Sequence, residues 1–237
     1  MKGVILAGGK GTRLRPATYV LNKHLIPILS KPMILYPLET LKRLGITEVL
    51  IVTGGGHIGS FAEFLGDGSA FGVEITYRVQ TEAGGIAQAL FLAKEFVGTD
   101  QRFGVILGDN IFADTVDESM LAKNSNNTAQ LFVKSVPDPE RFGVLESDNT
   151  IVEKPTNPKS DKAITGLYIY PNDVFEFLPT LTASERGEME ITDVNNWYLN
   201  DGRISITDLA DSFWSDAGTP ESLARVTNWV LESEIST

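Results

Sequence analysis

The sequence predicts an α/β protein: a Rossmann-like, doubly wound, mainly parallel mixed sheet flanked by helices, with antiparallel strands added in the second half. Three observations point there. Apolar runs of strand length alternate with helical patterns in the first half, strand-like runs crowd between turn residues in the second, and no linker, low-complexity stretch or internal repeat divides them. One domain spanning residues 1–237 is expected.

"KGVILA" near the start reads as a buried strand. Residues 33–44, "MILYPLETLKRL", put Ile34, Leu38 and Leu41 on one helical face, with Gly45 as the stop. "EVLIVTGG" and "VEITYRV" are two more strands. From Gly85 onward Ile86, Ala89, Leu90, Ala93 and Phe96 keep a helical period, and "RFGVILGDN" is a strand ending at Asp109. After about residue 127 the runs "AQLFVKSV", "FGVLES", "TIVEKP" and "AITGLYIY" suggest antiparallel strands. "DVFEFLPTL" and "EITDVNNWYL" look helical, "GRISITDL" and "FWSDAG" return to strand, and Leu223, Val226 and Val230 mark a last helix.

Composition narrows the chemistry. With 42% hydrophobic and 22% charged residues, the 237-residue chain can bury a substantial core. Its net charge of -11 argues against a nucleic-acid polymer as partner, which needs an extended basic face. Cysteine is absent, so disulfides, thiolate nucleophiles and cysteine metal sites are excluded. With only His24 and His57, a histidine-rich metal site is excluded too. The opening apolar run is too short for a signal peptide and no later run approaches a membrane span, so a cytoplasmic protein without membrane partners is expected.

Against that acidic background, "LAGGKGTRLRP" (6–16) gathers Lys10, Arg13 and Arg15 around Gly8, Gly9 and Gly11. It is neither a dinucleotide fingerprint, since Leu14 stands where the third glycine belongs, nor a P-loop, since Gly11 follows Lys10. What remains is glycine amides able to approach phosphate, with arginine forks in reach. On the glycines alone, a solvated turn serves as well. The opening loop, Gln80–Gly85, Asp109 and Asp216 each follow an expected strand, and ligands of such sheets bind at the strands' carboxyl ends.

"LAGGKGTRLRP", "NKHLIP" and "KPMILYPL" resemble the signature of the sugar-1-phosphate nucleotidyltransferases. "QTEAGGIAQAL", "LGDNIF", "RFGV", "VEKP", "TGLYIYP", "RGEMEITDVNNWYL" and "WSDAGT" are similar, in order, to the thymidylyltransferase branch that acts on glucose 1-phosphate, in its short form without a carboxyl-terminal helical extension. The resemblance implies a nucleotide-binding half at about 1–115 and a sugar-phosphate-binding half at about 116–237. It implies transfer of a thymidylyl group from dTTP to glucose 1-phosphate with release of pyrophosphate, by in-line attack and without a protein nucleophile. Catalysis is then positioning and charge neutralisation.

By the same resemblance, Gly8, Gly11, Thr12, Arg13 and Lys23 hold the triphosphate, and Lys154 holds the sugar phosphate. Asp109 and Asp216 hold Mg²⁺, whose other ligands are water and phosphate oxygens. Gln80 and Gly85 read the base: an amide has a donor and an acceptor to match the O4 and N3–H edge of thymine, which uracil shares. Gly143, Glu153 and Ile164 face the sugar, Trp214 and Tyr168 wall the site, and Arg186 lies near the phosphates. Each aspartate taken alone could be a turn residue, each lysine a solvated one, and Trp214 and Tyr168 core aromatics.

The chain departs from the long-form pattern at Thr81 and Ala83, where prolines are usual, and at His24, where glutamine is usual. Alternatives are a UTP-using or other-hexose enzyme, or an inactive nucleotide-sugar sensor. Homo-oligomers occur in the family, without contacts identifiable here. Asp109→Asn is expected to lose most activity and leave the protein folded.

Overall fold

In a computed structural model the chain is described over residues 1–82, 84–123 and 126–235. In chain order come β1 (Lys2–Ala7), the short pair β2 (Pro27–Ile28) and β3 (Lys31–Pro32), α1 (Leu35–Arg43), β4 (Glu48–Gly54), α2 (Ile58–Leu65) and β5 (Glu74–Gln80). Next are α3 (Ile86–Phe91), α4 (Lys94–Val97), β6 (Arg102–Leu107), β7 (Asn110–Phe112), β8 (Ala129–Ser135), β9 (Gly143–Leu145) and β10 (Ile151–Glu153). The chain closes with β11 (Lys162–Pro171), α5 (Val174–Phe177), α6 (Ile191–Asn200), β12 (Ile204–Asp208), β13 (Trp214–Asp216) and α7 (Pro220–Ile235).

Among the described residues nine strands form one sheet, with the path β10-β9-β11-β6-β1-β4-β5, β8 beside β11, and β12 beside β8. Strands β6, β1, β4 and β5 are parallel. Strand β11 is antiparallel to β6, β8 and β9, as the crowded second half led us to expect. Strand β12, expected only as a strand with no direction assigned, pairs with β8 in parallel.

Strand β1 is an unbroken apolar run because both its faces are covered. Val4 and Leu6 pack with Leu90 of α3 and Val194 of α6, while Ile5 and Ala7 pack with Leu41 of α1 and Phe61 of α2. Each such fully buried aliphatic side chain stabilises the fold by roughly 1.5–3 kcal/mol.

The expected helix after Gly85 is broken between α3 and α4. Leu92 and Ala93 hydrogen-bond three residues back, to Ala89 and Leu90, so the turn tightens while the apolar face continues to Val97. Helix α2 was not expected. It lacks a side-chain cap and sits among glycines, yet Phe61 and Leu65 are buried one turn apart. No helix among the described residues is long and apolar enough to cross a membrane.

Strands β7 and β13 form a separate antiparallel ribbon in which Asn110 faces Asp216 and Phe112 faces Trp214. The Ala217 N–H donates to the Asp109 carbonyl at 2.8 Å, extending it by one bond. Helix α7 covers the ribbon through Val226 and Val230, which join Ile111 and Ala217 in a small core. The ribbon thus stitches two distant segments together at the carboxyl end of β6.

Candidate active site

A cleft of about 580 Å³ opens where Gly8 follows β1, Gln80 ends β5 and Asp109 follows β6. Its walls include Gly8, Arg13, Lys23, Gln80, Gly85, Asp109, Gly143, Glu153, Lys154, Ile164, Tyr168, Arg186, Trp214 and Asp216. Gly11 and Thr12 are not among them. Gly11, at φ +61°, instead starts the turn Thr12–Leu14 that carries Arg13 into the cleft. Arg13 has no carboxylate partner among the described residues, which leaves its planar fork available to an anion.

At one end two carboxylates converge. A Cβ built on Gly218 would lie 3.0 Å from Asp216 Oδ2, 3.3 Å from Asp109 Oδ2 and 3.4 Å from Arg13 Nη2, so all three groups surround one point. Lys23 Nζ donates to Asp109 Oδ2 at 2.5 Å. Burial alone would raise the Asp109 carboxyl, but the Lys23 ammonium overrides it and holds the group well below the usual carboxylate range.

Arg141 Nη2 meets both oxygens of Asp216, at 2.9 and 3.0 Å, while its Nη1 holds Asp138 at 2.7 Å. Burial works against the Arg141 charge, yet the two aspartates raise its pKa further. The donor set fits Mg²⁺: two hard carboxylate oxygens lie close together beside Gly218, and phosphate and water oxygens would complete the shell. No group of three or more His, Asp or Glu side chains among the described residues could hold a metal without such help.

Next to Lys23, His24 is buried, and its ring Nδ1 lies 2.8 Å from Asn22 Oδ1. The His24 backbone N–H donates to the same oxygen, so that oxygen is an acceptor and Nδ1 carries the ring proton. Burial, reinforced by Lys23, lowers the His24 pKa to about 3 and keeps the imidazole neutral.

At the other end Glu153 Oε2 accepts from Thr192 Oγ1 at 2.6 Å, and its Oε1 meets Arg186 at 3.2 Å and Lys154 at 3.1 Å. Burial raises the Glu153 carboxyl, but Thr192 and the two cations lower it on balance. Lys154 holds a left-handed backbone, φ +44°, an uncommon conformation for a lysine, and its N–H donates to Phe142 O at 2.9 Å. Trp214 is both wall and core: its indole N–H donates to Asn110 Oδ1 at 2.7 Å, and its ring packs between Phe112 and Phe142. Tyr168 is buried and stacks on Tyr170.

On the base side, Gln80 Nε2 donates to Gln88 Oε1 at 2.8 Å and, at 3.4 Å, to Gly85 O. A Cβ on Gly8 would stand 2.4 Å from Gln80 Oε1, so glycine is required there for this close approach. Thr81 is exposed, and Ala83 lies outside the described residues.

The sequence reading missed Arg141, Asn110, Thr192 and Asn195, all in the walls. Each lies inside a stretch quoted above, "RFGV", "GDN" or "EITDVNNW", but nothing in the spacing marks it as facing the cleft.

A family profile described as nucleotidyl transferase matches residues 2–233. The chain belongs to this family of nucleotidyl-transferring enzymes. It is 46% identical to the glucose-1-phosphate thymidylyltransferase of Neisseria meningitidis serogroup A, over 97% of this chain and 82% of that one. It is 40% identical to the enzyme of the same name from Mycolicibacterium smegmatis, over 99% and 84%. A Bacillus anthracis protein provisionally designated a glucose-1-phosphate thymidylyltransferase, solved with sucrose, superposes with a TM-score of 0.90 at 49% identity, covering 97% of this chain and 94% of that one. UDP-glucose pyrophosphorylase with UDP-glucose, 23% identical over 98% of each chain at a TM-score of 0.84, shares the fold. Within the family, the chain is an enzyme of the glucose-1-phosphate thymidylyltransferase kind.

Proposed function

We propose that the chain transfers a thymidylyl group from dTTP to α-D-glucose 1-phosphate, giving dTDP-glucose and pyrophosphate. The observation that carries this reading is the convergence of Asp109, Asp216 and Arg13 on one point beside Gly218, at the carboxyl ends of parallel strands.

Two anions must meet, and the cleft supplies cations at both ends. Arg13 and Lys23 bind the triphosphate, Arg13 beside the departing pyrophosphate. Lys154 binds the sugar phosphate and aims one of its oxygens at the α-phosphorus, in line with the leaving group. Asp109 and Asp216 would hold Mg²⁺, which when bound would offset phosphate charge and sharpen the electrophile. Glu153 and the backbones of Gly143 and Ile164 hold the sugar hydroxyls, Trp214 and Tyr168 exclude water around the ring, and Arg186 restrains Glu153. Gln80 and Gly85 hold the base.

No thiol exists to form a covalent intermediate, which supports direct displacement. One domain carries both half-sites, and the setting is cytoplasmic. Pyrophosphate release from dTTP, glucose 1-phosphate and Mg²⁺ tests the reading. Turnover that disappears when any one component is omitted is expected; no product at millimolar substrates, or a clear preference for UTP or another hexose phosphate, refutes it.

A further inference from the structure

We propose that Gln88 is a specificity-positioning residue: pinned by the Gly84 backbone, it locks the Gln80 amide so that only Oε1 faces the base, which selects pyrimidines with a protonated ring nitrogen. The inference rests on the reading above, in which Gln80 meets the nucleobase.

A side-chain amide can be turned end for end, and the two orientations offer opposite hydrogen-bonding edges. Here the ambiguity is resolved from the main chain outward. The Gly84 N–H, which can only donate, is shared between Glu82 O and Gln88 Oε1, each at 3.0 Å. That contact identifies the acceptor end of Gln88. The Gln80 atom 2.8 Å from the same oxygen is therefore a donor, Nε2. A second acceptor-only group, Gly85 O, lies 3.4 Å from Nε2. Turning the Gln80 amide over would bring oxygen against oxygen at both places.

The relay is also held sterically. A Cβ on Gly84 would fall 2.6–2.7 Å from the Gln88 amide atoms, so that amide lies flat against the glycine. Behind it, the Met189 N–H donates to Gly84 O at 2.9 Å, which fixes the loop that supplies the pin. With Nε2 committed, Gln80 presents an acceptor to the cleft beside Gly8.

Thymine and uracil carry N3–H and satisfy that acceptor. Cytosine has a lone pair at the same position and leaves two acceptors facing each other, with nothing to share. The 5-methyl group plays no part in this choice. The relay thus predicts rejection of cytidine nucleotides and no rejection of uridine nucleotides.

The experiment measures kcat/KM for dTTP, UTP and dCTP with glucose 1-phosphate, on the full chain and on Q88M and Q88E. Methionine keeps the length and removes the acceptor, so Gln80 can turn; the dTTP-to-dCTP ratio should fall by about tenfold or more while the dTTP-to-UTP ratio holds. Glutamate keeps an oxygen for both donors and should retain the wild-type dTTP-to-dCTP ratio, whatever its charge does to overall rate. An unchanged ratio in Q88M overturns the proposal, as does a ratio lost equally in Q88E. Circular dichroism checks the fold, and Q88A replaces Q88M if the latter misfolds. A wild-type chain with no turnover of dTTP refutes the functional reading instead, so the two failures are distinguishable.

Discussion

Asp109→Asn probes the ion pair at the centre of the cleft. Lys23 Nζ and Asp109 Oδ2 are 2.5 Å apart, with side chains only 12% and 14% exposed. At an effective dielectric of about 20, unit charges at that distance attract by roughly 7 kcal/mol. Lost hydration cancels much of this, and breaking such a pair by removing one partner leaves a net cost of about 3 kcal/mol.

Asp109→Asn should therefore be inactive and also less stable, because it strands the Lys23 ammonium. The sequence alone led us to expect an unaffected fold; the ion pair is the reason to revise that. Lys23→Met should cost a similar amount, and the double variant far less than the sum, with a coupling of about 2–3 kcal/mol. The Asp109 carboxyl is depressed in the folded state, so its contribution is present above its unfolded pKa of 3.8 and is lost as pH falls below that. Urea unfolding at pH 7 with EDTA, on all four proteins, reads these differences. Additive losses, or an Asp109→Asn protein as stable as wild type, would refute the pairing.

Three other changes are informative. His24 has a folded pKa of about 3 against 6.5 unfolded, so the unfolded chain binds the extra proton between them and stability falls as pH drops through that window. From pH 7 to 5 this costs about 2 kcal/mol, and His24→Gln should be spared it; equal urea-midpoint losses in both proteins would contradict the burial argument. Arg141→Gln releases Asp216 and should lower kcat/KM by roughly a hundredfold while changing the Mg²⁺ concentration needed for half-maximal rate. An unaltered Mg²⁺ titration would show that Arg141 does not position Asp216. Lys154→Asn keeps a residue tolerant of the left-handed backbone and removes the charge, so KM for glucose 1-phosphate should rise about tenfold or more with KM for dTTP unchanged. Equal rises for both substrates would move Lys154 away from the sugar phosphate.

The parallel half of the sheet was legible because two-sided burial writes itself as continuous apolar runs, as in β1 and β4. The antiparallel half was legible from turn residues, except that direction is not written in a strand: β12 looks no different from its neighbours. Asp109 was visible by its place after β6. Arg141 and Asn110 were not, since their importance comes from partners far along the chain, Asp216 and Trp214, that only the β7–β13 ribbon brings near. The same holds for the Gln80 amide. Its identity is plain in the sequence, but its orientation depends on a backbone N–H four residues further on.

That little ribbon also sets how the acidic pair can fail. Side chains alternate along it, so slipping β13 past β7 by a single position would swing the carboxylate at 216 to the opposite surface and bring Ser215 or Ala217 round in its place. Lengthening the loop that follows Phe112 or the one that precedes Trp214 is harmless by comparison, provided the three-residue match survives. An inserted or deleted residue between 110 and 112, or between 214 and 216, would disable the enzyme as surely as losing an aspartate, though every charged group were still present.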